Sequence, residues 1–171
     1  MAVQLDDFFA QLMGIVAPFS IGQVEQSEDG SVQIRIEVDP DYRPSRFHTI
    51  HKYQDKSWRH LNVMQHEGYL HCRVPYFKDK RTAKTRLLDL PWARPGSGFT
   101  LLLEQVLLGQ LRQTACRTTV AHMHGLYPQR ITTLYDPYTL NAFEFWEAEL
   151  AKKVGVDETS SKKGHEYITL F

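Results

Sequence analysis

The sequence predicts an α+β chain: a β-rich N-terminal module over residues 1–90, a helical module over residues 99–153 and a C-terminal β-hairpin over residues 154–171. Three stretches carry this prediction. "SVQIRIEV" alternates strictly, with Val32, Ile34, Ile36 and Val38 on one side and Gln33, Arg35 and Glu37 on the other, the signature of a half-buried strand. "LLLEQVLLGQLR" instead lines up Leu102, Val106 and Leu107, widened by Leu103 and Leu111, at the period of a helix. Between the two periods lies "LPWARPGSGFT", whose two prolines and two glycines end the β part.

Each element follows in order. "VQLDDFFAQLMG" places Leu5, Phe8, Phe9, Leu12 and Met13 on one helical face, and Gly14 ends that helix. Asp29-Gly30 is a hairpin turn, so Ile21 to Gln26 is the partner of the Val32–Val38 strand. A second β region runs from Trp58 to about Leu90, with Leu70, Cys72 and Val74 facing one way and Tyr69, His71 and Arg73 the other. Cys72 is thus expected to be a small core side chain rather than a nucleophile. Thr100 is placed to cap the first helix of the helical module. "TTVAHMHG" reads as a second helix ending at Gly125, and "PQRITTLY" as a third with Pro128 in its first turn. Asp136-Pro137 is expected to break the third helix and cap a fourth, "PYTLNAFEFWEAELAKK". The chain ends in "VGVDETSSKKGHEYITLF", a strand carrying Asp157, a polar turn and a second strand.

Composition narrows the class. No apolar run approaches the eighteen or so residues of a membrane span, and Asp6 and Asp7 stand where a secretory signal needs basic residues. With only Cys72 and Cys116, no disulfide scaffold is expected and a cytoplasmic location follows. The net charge of zero hides an asymmetry. Met1 to Tyr42 holds eight acidic residues against Arg35 alone, a balance of −7. Arg43 to Arg86 holds eleven Lys and Arg against three acidic residues, a balance of +8, and the remainder is at −1. The basic block also carries His48, His51, His60, His66 and His71, interleaved with Trp58, Tyr53 and Tyr69. A solvated face and an anion-binding surface both fit; nucleic acid is the favoured partner.

Two short helices joined by a glycine-containing turn outline a helix-turn-helix, roughly Arg117 to His124 and Pro128 to Tyr135, although a bundle with polar outer faces fits the same pattern. The second helix would present Gln129, Arg130, Thr132 and Thr133, with Arg117 at the start of the first. Gln pairs with adenine and Arg with guanine in the major groove, while Thr reaches a phosphate or a thymine methyl. Catalytic constellations are thin. There is no glycine-rich phosphate loop and no nucleophile elbow. His122 and His124, two apart on a helix, diverge, and His48 and His51 lack partner cysteines, so no metal and no cofactor is expected.

The stretches "KSWRHLNVMQHEGYLHCRVPYF", "LPWARPGSGFTLLLEQVLL" and "VGVDETSSKKGHEYITLF", together with "FFAQLMGIVAPFSIGQVEQSEDGSVQIRIEVD", resemble the ISL-three-type insertion-sequence transposases of bacteria. The resemblance covers nearly the whole chain in order. It implies a zinc-binding module, then a helix-turn-helix, both binding the ends of a mobile element, and then a ribonuclease H-like catalytic domain with three acidic residues. Asp157 falls on the first of these, which implies a transposase front end stopping just inside its nuclease. Asp157 is expected to be inactive, because a two-metal site needs carboxylates from several elements and only Glu158 and Glu166 accompany it. The zinc-binding cysteines are missing from "YRPSRFHTIHKYQDK" and "FKDKRTAKTRLL", so the β-rich module is expected to be a degenerate, zinc-free ribbon. Lys78, Lys80, Arg81, Lys84 and Arg86 stand where the second knuckle would be, as candidate phosphate contacts. The resulting expectation is a non-enzymatic protein that recognises inverted-repeat-like duplex DNA. Alternatives are an inhibitor or regulator binding a protein of another nucleic-acid-processing complex, a dimer formed through the C-terminal hairpin, and an enzyme completed by another chain.

Overall fold

The structure is a computed structural model that describes residues 5–144, 157–162 and 166–170. Strands and helices segregate along the chain in an α+β arrangement. Helix α1 (Leu5–Leu12) ends at Gly14, whose φ of +70° is the left-handed conformation that favours glycine. Strands β1 (Phe19–Gln26) and β2 (Val32–Val38) form the expected antiparallel hairpin about Gly30. Then come β3 (His48–Val63), β4 (His66–Asp79) and the short β5 (Thr85–Leu87). Helices α2 (Leu101–Thr114), α3 (Arg117–Met123) and α4 (Pro128–Glu144) follow, and then the antiparallel pair β6 (Asp157–Lys162) and β7 (Glu166–Leu170). Met1–Leu134 form one compact unit and Tyr135–Phe171 another. Among the described residues no helix is long and apolar enough to cross a membrane.

The sheet is mixed, in the order β1-β2-β4-β3, with β5 also paired to β4. β4 is the spine: β3 pairs antiparallel along one edge, while β2 pairs parallel over Gly68–Cys72 and β5 antiparallel over Tyr76–Lys78 on the other. The alternation in β2 and β4 is realised as expected. Ile34, Ile36, Leu70, Cys72 and Val74 are buried, and Arg35 and Arg73 are exposed on the opposite face. Burial, assisted by Asp55, pushes the Cys72 thiol up to about 12, so it stays protonated and packs as a small apolar group.

Two expectations need correction. The second β region begins at His48, ten residues before Trp58. Its first part, "HTIHKYQDK", lacks apolar alternation because β3 is the edge strand of the sheet, with His51 to Asp55 exposed while their β4 partners Val74 and Pro75 are buried. That part of β3 is held by its ladder to β4, a long-range pairing that local pattern does not reveal. Asp136-Pro137 does not end the third helix either; Pro137 lies inside α4, which continues to Glu144. Proline removes one ladder bond and crowds the preceding turn, but the helix resumes beyond it. The expected extension to Lys153 lies outside the described residues.

Two apolar clusters organise the first unit. One gathers the buried sheet face with Met13, Ile15, Leu88, Trp92 and Ala93. Trp92 meets Phe19 and Trp58 edge-on, with ring centroids 4.7 and 5.7 Å away, so the connector of the sequence is part of the core. The other cluster joins Phe99, Leu103, Leu107, Leu111, Val120, Ala121, Leu126, Ile131 and Leu134 across α2, α3 and α4.

Candidate nucleic-acid interface

The helices are seated on the turn end of the β3–β4 ribbon, around a buried arginine. Arg59, 2% exposed, donates from Nη1 to the carbonyls of His60 and Gly68, and from Nη2 to Asn62 Oδ1 at 2.7 Å. Its Nε lies 3.5 Å from Glu67 Oε2, which also accepts from the Tyr69 hydroxyl at 2.7 Å. The backbone of Arg59 pairs with the connector: its N–H donates to Gly98 O at 2.9 Å, and Thr100 N–H donates to Arg59 O at 3.0 Å. A buried charge is tolerated only when its donors are satisfied, and here most of them end on groups of the ribbon itself.

Next to it, His60 joins β3 to α2. Its Nδ1 is 2.9 Å from Thr100 Oγ1, and that hydroxyl accepts from Leu103 N–H at 3.4 Å as the α2 N-cap. Burial first and Arg59 second push the imidazole down to about 4, so it is neutral near pH 7 and shares a single hydrogen bond with the Thr100 hydroxyl. Thr100 therefore caps as expected, and it also serves as the joint between sheet and helix. A second joint is the fully buried Glu104, which receives Arg94 Nε at 2.9 Å and the Ser97 hydroxyl, while Arg94 Nη2 donates to Leu134 O at 3.4 Å. Neither joint is legible in the sequence beyond polar residues amid apolar ones.

α3 and α4 pack by their inner faces. Val120, Ala121 and Ile131 are fully buried, and Leu126 fills the angle from the turn. Gly125, at φ +64°, turns the chain, and Leu126 N–H returns to Ala121 O at 2.8 Å. A Cβ there would also lie 2.7 Å from Glu67 Oε1, so the carboxylate would have to move aside. Pro128 opens α4 as the sequence predicts.

The outer face of α4 presents the expected residues. Gln129, Arg130 and Thr133 are exposed and Thr132 is half-buried. Arg130 is poised: its guanidinium lies over the Phe99 ring, 4.4 Å from the centroid. Arg117 Nη1 donates to Thr132 Oγ1 at 3.3 Å, tying the start of α3 to α4. Thr133 Oγ1 donates back to Gln129 O at 3.1 Å. His124 is occupied by Gln110, 2.7 Å from Nε2, and His122 is exposed.

The basic residues Lys78, Lys80, Arg81, Lys84 and Arg86 are also brought together, at the opposite end of the β3–β4 ribbon, and all are exposed. Asp79 closes the turn, accepting Arg81 N–H at 2.7 Å on its carboxylate and Ala83 N–H at 2.8 Å on its carbonyl. Arg86 pairs with Asp89 at 3.3 Å. His48 and Asp79 are cross-strand partners here, whereas Cys72 faces Lys56 far along the ladder, so His48, His51 and Cys72 do not converge. Among the described residues no three His, Cys, Asp or Glu side chains are grouped to hold a metal ion. Asp157 is the first residue of β6, opposite Leu170, with Glu158 opposite Thr169.

Residues 88–139 match the family model for the helix-turn-helix domain of transposase family ISL3. The match runs from the buried connector through α2 and α3 into α4, so the seated helices are a transposase-like helix-turn-helix domain, a DNA-binding module of mobile elements. The β-sheet strands and the β6–β7 hairpin lie outside the matched segment. No curated protein and no solved structure matches the chain.

Proposed function

We propose that this chain binds duplex DNA with sequence preference, at an inverted-repeat-like site, through α4 of its helix-turn-helix domain and without cutting it. The observation that carries the reading is the polar outer face of α4, with Gln129, Arg130 and Thr133 exposed above a fully packed inner face, within a segment that matches a transposase DNA-binding domain. Gln129 would pair with adenine and Arg130 with guanine. Arg117, Thr132 and Thr133 would fix the helix against phosphates and thymine methyls. In this reading residues 1–90 are a ribbon-like support held by its sheet core instead of zinc, residues 99–153 hold the reading head, and residues 154–171 are a hairpin of catalytic-domain ancestry. Lys78, Lys80, Arg81, Lys84 and Arg86 add phosphate contacts.

Asp157 is assigned no chemistry, because Asp157, Glu158 and Glu166 all lie on one β6–β7 hairpin, and two-metal phosphoryl transfer needs ligands converging from separate elements. Incubating the protein with labelled duplex and Mg²⁺ or Mn²⁺ should leave the DNA intact; cleavage that vanishes in Asp157→Ala would refute that assignment. For the binding reading, Gln129→Ala and Arg130→Ala should each cost roughly 1–3 kcal/mol on the preferred duplex and little on random duplex. Equal losses on both duplexes would rule out base reading by α4.

A further inference from the structure

The β3–β4 ribbon separates the reading head from the basic turn by a definable length. Arg59, whose backbone holds Gly98 and Thr100, pairs with Tyr69 on β4, and Lys78 at the other end pairs with Thr49. Nine residue steps of antiparallel strand separate Tyr69 from Lys78, about 30 Å at roughly 3.4 Å per residue. The turn at residues 79–84 reaches beyond that. One turn of B-DNA is about 34–36 Å, or 10–10.5 base pairs.

The ribbon is also fitted with ordered cations. Arg73 lies over Tyr53 at 4.9 Å, Lys52 over Tyr76 at 4.8 Å, and at the far end both Arg46 and Arg81 lie over Phe47, at 4.8 and 5.1 Å. Phe47 is fixed in turn, its carbonyl accepting Lys80 N–H at 2.9 Å. Cations already stacked on rings lose little freedom when they meet a phosphate, so they suit backbone contact. The nearest carboxylate at the tip, Asp79, is engaged in closing the turn.

We propose that the ribbon acts as a ruler: the tip formed by Arg46, Phe47, Lys80, Arg81 and Lys84 grips the DNA backbone one helical turn from the site read by α4. This rests on the DNA-binding reading above and adds a distance to it. The tip would supply affinity only where the duplex extends far enough to reach it.

The test uses the full chain and a duplex enriched from a random library, prepared in two lengths. The long form extends about sixteen base pairs beyond the enriched site on each side, past one turn, and the short form about five. The long form should bind about tenfold tighter near 0.1 M salt, with a steeper salt dependence. Replacing Arg46, Lys80, Arg81 and Lys84 by Gln should abolish this difference, with the larger loss on the long form. Hydroxyl-radical footprinting should show a second protected patch about ten base pairs from the first, lost in the same variant. Equal wild-type affinity for both lengths, or equal losses in the variant on both, would overturn the ruler while leaving α4 recognition standing. An absence of any duplex binding would overturn the reading beneath it, and the ruler with it.

Discussion

Protonation of His60 sets a pH dependence for the fold. The folded chain holds this imidazole at about 4 and the unfolded chain at its ordinary 6.5, so between those values the unfolded state takes up a proton that the folded state refuses. Its contribution is complete above about pH 6.5 and lost as pH falls toward 4, in all about 3 kcal/mol. Urea unfolding of the wild type should weaken by this amount more than His60→Asn between pH 7.5 and 4; parallel pH curves would show that the imidazole is not buried as described. Gly125→Ala should cost about 1–3 kcal/mol, since it forces an alanine to φ +64° and sets its Cβ against the Glu67 carboxylate. Measured against Glu67→Gly alone, adding Gly125→Ala should cost less than it does in the wild type, and an equal cost would leave backbone strain as the whole cause. At this scale the sequence was partly legible. Thr100 as a cap, Cys72 as core and Gly125 as a turn follow from local rules, whereas the polar partners of Arg59 and Glu104 are set by tertiary packing.

Helices and strands show where local pattern ends. β2, α2 and α3 follow from alternation and period, because each has one buried and one wet face, and β1 follows from the Asp29-Gly30 turn that pairs it with β2. The first half of β3 is not legible from pattern, since an edge strand with mostly exposed side chains has little alternation to detect. Local rules divide α4 in two because Pro137 is a strong helix-ending signal. Pro137→Ala should therefore restore a ladder bond, and circular dichroism should show helicity at least equal to the wild type and unfolding at a higher temperature; a fall would mean that the proline is required by its surroundings. The expected site residues on α4 did come together on one face, because helical spacing places positions 129, 130 and 133 side by side.

Over the whole molecule, charge is the more readable property. The block from Arg43 to Arg86, at +8, folds into the β3–β4 ribbon and its basic tip, so a chain of zero net charge carries a locally basic surface. What sequence could not supply is the distance between tip and helices, which depends on the pairing of β3 with β4. The most direct test of the central claim is selection from a random duplex library followed by titration of the enriched duplex across 50 to 200 mM salt. DNA binding by α4 predicts one enriched motif, affinity that falls steeply with salt, and loss of the preference in Gln129→Ala. Recovery of no motif, with affinity insensitive to both salt and Gln129, would contradict it.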